Sequence, residues 1–565
     1  MVTESVPVGD ATAVEPRASW MPLVVIAATQ ILMVFNVSTL QVSIEAISSS
    51  FDVPATSIAT AIVTYALVVA GSILLAARIV EIYGSRLVFR TGVALFGAAM
   101  AVMAVSPGMA IAVIAQVVAG AAAALLVPTL VVLIAENYRG AQQAKALAWL
   151  AGSAAMGIVL AFLIAALLAG WIGWRFTFGL LVLLAAGLYL SSDRFAPPTR
   201  RSGVSIDALG AVLAAAAIFL ISLGANNLTD WGALLAGPGA PFAILDMSPA
   251  PIMMLTGIFL GQAFVSWSRR RAIVGKRPLV ALEVIDTREE RAALFSIFAI
   301  SAFASAITFL IPLYIQVVQG RSSLETAAAV VPFSIASFAA AVLVVRLLDR
   351  MSPRATARYA FLAVAAGVML LGTVIRNDWS DAAVILGMVV IGLGEGALVT
   401  LLFNVLVTAS PQALAGDVGS LRGTINNLAT GVGTAVASTL VVALLGSTVH
   451  RELVHNDVIP LALKTEINLD RVAFVSNEQL RSRLALTAAI PEQVAEAERI
   501  NTDARLLALK VTFYGLAGLA LLAYFPAGAL PGRVRVAAEG GEDTARRRAG
   551  RESPAGSAPA GDAAA

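Results

Sequence analysis

Apolar stretches of bilayer-crossing length recur from Trp20 to Leu530, and the short loops between them alternate between basic and nearly free of Lys and Arg. A segment of ~20 apolar residues spans the hydrocarbon core as a helix, and an excess of Lys and Arg in short loops marks the cytoplasmic side. The loop 78–90 is basic and 106–109 is uncharged; 139–145 is basic and the turn after Trp171 is neutral. Arg194, Arg200 and Arg201 are followed by 226–251, whose charges are Asp230 and Asp246, and then by Arg269, Arg270, Arg271, Lys276 and Arg277. Arg350, Arg354 and Arg358 continue the series. The alternation predicts an all-α polytopic membrane protein with its basic loops and both termini in the cytoplasm.

Hydrophobic residues make up 59% of the 565 and charged ones 13%, against roughly a quarter charged in soluble domains. A soluble core cannot absorb that composition. The net charge is only +3 and the basic residues sit at span ends, which places them at an anionic membrane surface and argues against a nucleic-acid partner. The chain has no cysteine, so disulfide and thiol chemistry are excluded. Residues 1–19 are polar, acidic and Pro-containing, and read as a cytoplasmic tail rather than a cleaved signal peptide.

At ~20 residues per crossing the chain holds about fourteen helices, near 21–44, 58–80, 88–105, 110–134, 146–169, 175–191, 208–224, 252–268, 293–318, 327–348, 359–375, 382–405, 419–446 and 509–530. A Pro- and Arg-bearing linker at 191–206 closes a six-helix block over 20–195, and the basic stretch 268–291 opens another over 291–530. An inserted helix pair with its linkers occupies 196–290. The segment 447–504 is too long for a tight turn and reads as an external loop, since long loops escape the charge rule. Ser476-Asn-Glu-Gln479 looks like a capping box and Pro491 like a first-turn proline, which predicts two short helices there. The Ala/Gly/Glu/Arg-rich stretch 531–565 reads as a disordered cytoplasmic tail.

The motifs narrow this further. Pro312-Leu-Tyr314-Ile-Gln316 runs on to Gly320, Ser322, Leu324 and Pro332; Val345-Arg-Leu-Leu-Asp349-Arg350 leads to Arg354; Ala415-Gly416 is followed by Gly419, Gly423, Asn427, Gly431 and Gly433. Asp207-Ala-Leu-Gly210, Trp231-Gly232 and Pro278-Leu279-Val280 flank the inserted pair. With these the chain resembles the fourteen-helix drug/proton antiporter branch of the major facilitator superfamily. The resemblance implies two six-helix bundles that rock about a midplane site.

The first half departs from that pattern. The family's first-helix motif aligns with 35–45, where its carboxylate has become Asn36 and its proline Glu45; the fourth-helix arginine falls on Gln116. The proline of the fifth-helix antiporter motif is lost at Ala161-Phe162, while Trp174-Arg175 is kept. An amide cannot exchange protons at physiological pH. Glu395 is the ionisable residue that this reading places inside the hydrocarbon, midway along a span, in Gly392-Leu-Gly394-Glu395-Gly396. Such a residue is costly and functional by default, and desolvation favours its protonated form, which suits reversible protonation or a cationic substrate. The alternative is a protonated side chain acting as packing glue. Gly392 and Gly396 form a small-residue pair that admits another backbone.

Asn36, Thr39 and Ser43 share one helical face, with Gln41 a quarter-turn off it, and offer neutral hydrogen bonds to a substrate or to a neighbouring helix. Tyr65, Gln116, Tyr314, Gln316, Asn404, Asn426 and Asn427 are further candidates for the same cavity. Glu81 with Arg86 and Arg90, and Asp349 with Arg350 and Arg354, are charge clusters at the cytoplasmic turns, where the resemblance implies gating. His450 and His455 are poorly spaced for a metal on a helix, and no phosphate-binding loop or nucleophile–base arrangement occurs. The expected protein is therefore a monomeric secondary transporter of a bacterial inner membrane, not an enzyme, needing no cofactor. It is expected to export lipophilic or amphipathic small molecules with protons as the candidate coupling ion. An uncoupled carrier, or a member that binds lipid or a partner without antiport, is the alternative.

Overall fold

The computed structural model describes residues 19–195, 207–232, 234–237, 239–276, 278–280, 285, 287–347, 350–376, 381–409, 415–454, 456, 458–460, 474–487 and 489–532. Asp349, Arg200, Arg201, Arg277, His455, the linker residues 196–206, residues 1–18 and residues 533–565, all used above, lie outside them.

In chain order the helices are α1 (Met21–Val42), α2 (Ile44–Phe51), α3 (Ser57–Tyr83), α4 (Ser85–Ala104), α5 (Met109–Asn137), α6 (Gly140–Trp171), α7 (Trp174–Ser191), α8 (Ala208–Asn226) and α9 (Leu228–Trp231). The second part holds α10 (Pro249–Ile273), α11 (Arg288–Leu313), α12 (Ser323–Leu347), α13 (Pro353–Val374), α14 (Asp381–Ala409), α15 (Ala415–Val454), α16 (Asn477–Leu484) and α17 (Pro491–Ala523). Fourteen segments of the described residues are long and apolar enough to cross a membrane. Two six-helix bundles, α1 with α3 to α7 and α11 to α15 with α17, flank the inserted pair α8 and α10.

The bundles meet along two seams, α3 against α15 and α6 against α12, and α8 rests on α3 and α15. Small residues set the first of these distances: a Cβ on Gly431 of α15 would collide with the Leu67 side chain of α3. The inserted pair is locked at its root by Asp207, which is 2% exposed. Its Oδ1 accepts from Gly210 N at 3.1 Å and Trp267 Nε1 at 2.9 Å, and lies 3.4 Å from Arg271. The aspartate of the Asp207–Gly210 motif thus caps α8 and ties it to α10.

Alternate helix ends define two faces, a basic face carrying Arg78 to Arg90 and Arg350 to Arg358, and a far face. Pro312 removes a backbone donor within α11, and the chain continues through a π-helical turn, Tyr314–Val318, before Gly320 (φ +62°) ends it. Tyr314 and Gln316 therefore sit in a widened turn on the far face.

The far-face segment differs from the sequence expectation. Ser476 does cap α16, with Gln479 returning the bond. Pro491, however, opens no separate short helix: α17 runs unbroken for 33 residues into the last span. The polar start continues because it is anchored. Arg505 is 1% exposed and donates to the carbonyls of Val317 and Val475 at 2.9 Å and to Asn477 Oδ1 at 2.8 Å. Phe474 is fully buried and its carbonyl accepts from Ala55 N at 3.3 Å.

Candidate functional site

In the first bundle two of the positions that depart from the family pattern, Asn36 and Gln116, lie against each other. Asn36 Nδ2 donates to Gln116 Oε1 at 2.8 Å, and Gln116 Nε2 donates back to Asn36 Oδ1 at 3.1 Å. Both side chains are fully buried. A carboxylate and a guanidinium at these positions would form an ion pair; here a neutral, reciprocal amide pair bridges α1 and α5. Thr39 bonds the Phe35 carbonyl of its own helix, and the Ser43 hydroxyl is buried without a partner. Tyr65 is 6% exposed. The stripe Asn36, Thr39, Ser43 is thus packed against neighbouring helices in this conformation.

Gln41 and Gln316 join the two bundles at the far face. Gln316 Oε1 accepts from Glu45 N at 3.1 Å, its Nε2 donates to the Gln41 carbonyl at 3.3 Å, and Gln41 Nε2 donates to Thr308 Oγ1 at 3.3 Å. Gln479 donates to Ser48 at 3.2 Å across the same seam. Tyr314, fully buried, donates to the Arg376 carbonyl at 2.8 Å. These groups close the far face.

Glu45 stands in that closure with Oε2 buried and unpartnered while Oε1 accepts from Ser49 at 3.1 Å. Burial pushes its carboxyl above the usual carboxylate range; Ser49 opposes the rise, Glu478 adds to it and Arg505 opposes it. Because the raised value belongs to the closed state, closure is most stable at acid pH. It weakens as pH climbs through the raised value and then levels off. A single cysteine at Thr308 in this otherwise cysteine-free chain, its labelling rate divided by that of the denatured variant at the same pH to cancel ionisation of the thiol itself, should be more accessible at pH 8 than at pH 5. Glu45→Gln should flatten that dependence and slow labelling at neutral pH. An unchanged pH profile in Glu45→Gln would exclude Glu45 as the sensor.

In the second bundle Glu395 lies midway along α14, partly buried, and Ser337 of α12 donates to its Oε2 at 2.6 Å. Gly392 and Gly396 face α12: a Cβ on either would collide with a backbone carbonyl, of Phe333 or Ser337 respectively. The glycines bring α12 close enough for a serine hydroxyl to reach the carboxylate. Asn426 is exposed and accepts from Ser301 of α11 at 2.9 Å; Asn427 donates to Gly423 O at 2.9 Å within its own helix. Asn404 is exposed on α14. Arg422 is a charge the sequence reading passed over. It lies inside the span 418–454, its guanidinium 4.3 Å from the Phe403 ring centroid. An arginine between Gly419 and Gly423, in a run otherwise apolar or neutral, was the available signal.

The turn clusters are wired differently from the sequence expectation. Glu81 pairs with Arg78 at 3.3 Å, not with Arg86 and Arg90, and Arg78 also donates to the carbonyls of Pro278 and Leu279. Arg86 and Arg90 both take Asp193. The reason is helical direction: Arg78 is one turn before Glu81 on the same helix, whereas Gly84 (φ +88°) turns the chain before Arg86. Arg354 donates to the Leu530 carbonyl at 3.0 Å, Arg350 is exposed, and Arg358 stacks on Tyr524 at 4.8 Å. Trp174-Arg175 joins three elements: Arg175 donates to Ser50 and to the Ser106 carbonyl and stacks on Trp174.

Two six-helix bundles and an inserted helix pair define a polytopic membrane protein with fourteen candidate spans. The sequence model of the Major Facilitator Superfamily matches residues 26–434, and the chain belongs to that family. It is similar to the lincomycin resistance protein of Streptomyces lincolnensis, 29% identical over 60% of this chain and 67% of that one. It is also similar to a probable actinorhodin transporter of Streptomyces coelicolor (25% identical; 79% and 77% covered) and to the multidrug efflux pump LfrA of Mycolicibacterium smegmatis (24%; 77% and 83%). Among solved structures, the inward-facing, unoccupied bacterial homolog of the lysosomal transporter Spinster matches with a TM-score of 0.57 at 13% identity, covering 89% of this chain and 96% of that one. At that identity the likeness speaks to the fold alone.

Proposed function

We propose that this transporter exports amphipathic small molecules across a bacterial cytoplasmic membrane, driven by proton entry through Glu395. The observation that carries the reading is the Glu395 carboxylate, midway along α14 and held by Ser337. A protonatable group there, cycling between the two faces as the bundles rock, exchanges a proton for substrate. The similar proteins named for antibiotic resistance and multidrug efflux support the direction and the substrate class. The buried, neutral Asn36–Gln116 pair favours a second reading, an uncoupled carrier or lipid-binding member, because it removes the first-bundle titrating site. Dye efflux from proteoliposomes with and without an imposed pH gradient separates the two: coupling requires acceleration by the gradient, and its absence leaves the uncoupled carrier.

In this reading the chain acts as a monomer with its basic face and both termini in the cytoplasm. Cysteines replacing Asn227 or Glu478 should label with an impermeant thiol reagent on intact cells, and cysteines replacing Arg270 or Arg354 should not. Labelling of Arg270→Cys from outside would reverse the orientation.

A further inference from the structure

Arg422 is a guanidinium inside a span with no counter-ion among the described residues. Among the described residues it makes no hydrogen bond and no ion pair, and its ring contact with Phe403 is the interaction it has. It is only partly accessible, yet its nitrogens are not among the sealed polar atoms, so with no partner they front open space. Its depth follows from its neighbours. At 1.5 Å per residue Arg422 lies ~10 Å from the start of α15 and Phe403 ~9 Å from the end of α14, both ends on the basic face. A Cβ on the adjacent Gly423 would collide with Ile73, ~15 Å up α3 from the same face. Phe403 and Arg422 both lie within apolar spans, Ala382–Leu406 and Val418–Val454, toward the basic-face ends, where an unpaired charge is costly. Asn426, one turn on, lies on the same side of α15, and Asn404 adjoins Phe403.

We infer that Arg422 and Phe403 form a recognition site for an oxyanion carried on a planar apolar body, in the inner half of the transport path. The inference rests on the export reading and narrows its substrate class from amphipathic molecules to amphipathic anions. The guanidinium supplies the charge-assisted donors, the ring supplies a stacking plane, and the low-dielectric surroundings strengthen both. An unpaired, partly buried cation is expensive unless a ligand's charge completes it, which is why a site of this kind favours anions over lipophilic cations.

The test uses two dyes with one xanthene ring system and opposite charge, fluorescein and rhodamine 6G, bound to the full-length protein in neutral detergent and read by polarisation. Arg422→Gln should weaken fluorescein at least about tenfold, the worth of one charge-assisted contact, and leave rhodamine 6G little changed. Arg422→Lys should fall between, because it keeps the charge without the planar fork. Unchanged fluorescein affinity in Arg422→Gln, or equal loss of both dyes in both variants, overturns the site. Should the glutamine variant fail to fold, Phe403→Leu carries the test: a lost preference for fluorescein supports the site and an unchanged one overturns it. Displacement of bound fluorescein by phosphatidylglycerol but not phosphatidylcholine assigns the anion to a lipid headgroup; displacement by neither assigns it to a soluble organic anion. Binding needs no gradient, so intact fluorescein binding without gradient-driven efflux strikes the export reading alone.

Discussion

Replacing Glu395 by glutamine is expected to reduce gradient-driven efflux to its gradient-free level while leaving dye binding within about threefold, since little binding energy is at stake in one hydrogen bond. The amide keeps the side chain's length, and its Oε1 can still accept from Ser337, whose hydroxyl now lies 2.6 Å from the carboxylate. The close packing of α14 on α12 at Gly392 and Gly396 is untouched by the change. What is removed is the exchangeable proton. The first-helix position that carries the family's carboxylate cannot replace it, because it is Asn36 and its neighbour is Gln116; Glu45 lies at the far-face end and biases closure rather than relaying a proton at midspan. The loss should therefore be complete rather than partial. Normal acceleration by a pH gradient in Glu395→Gln would end the antiport reading and leave the uncoupled carrier in its place.

Charging the amide pair is expected to have the largest effect on stability. Asn36→Asp alone, or Gln116→Arg alone, places an uncompensated charge in a fully buried contact and should cost ~3–5 kcal/mol of unfolding free energy at neutral pH. The double variant sets carboxylate against guanidinium and should recover most of it, so the cycle should show strong coupling. The Asn36→Asp cost should shrink as pH falls, because a protonated aspartic acid is neutral and can donate to Gln116 Oε1 as the amide does. Thermal unfolding in detergent across pH reads all four proteins. Additive effects, or an Asn36→Asp variant as stable as its parent at neutral pH, would mean that the contact is open to water. A recovered double variant would also test whether a second titrating pair steepens the pH dependence of efflux.

The spans were legible because the bilayer imposes a one-dimensional rule. Each segment must be apolar over ~30 Å, and that is a property of composition along the chain, independent of what the segment packs against. Hence fourteen crossing segments stand near the predicted positions, and Glu395 stands out as a charge within one. The capping box at Ser476 was readable for the same reason, its partner being three residues away. The motifs of the second half were legible as a family resemblance, although the widened turn that Pro312 introduces into α11 was not.

Chain distance limited everything else. Whether Pro491 starts a short helix or the last span depends on Arg505, and Arg505 depends on carbonyls at Val317 and Val475. Glu81 takes Arg78 and leaves Arg86 and Arg90 to Asp193 because the turn at Gly84 redirects the chain. Asn36 and Gln116 each looked like an isolated loss of charge, and only their contact across 80 positions makes them one neutral replacement for a pair. By itself the sequence determined the solvent for which this protein is built, the number of its crossings and the one carboxylate at their middle, since hydrophobic length and charge cost are local sums. The tertiary structure decided which polar groups are satisfied by packing and which, like Arg422 and the second oxygen of Glu45, find no partner among the described residues, because hydrogen bonding between helices depends on how each is rotated toward its neighbours.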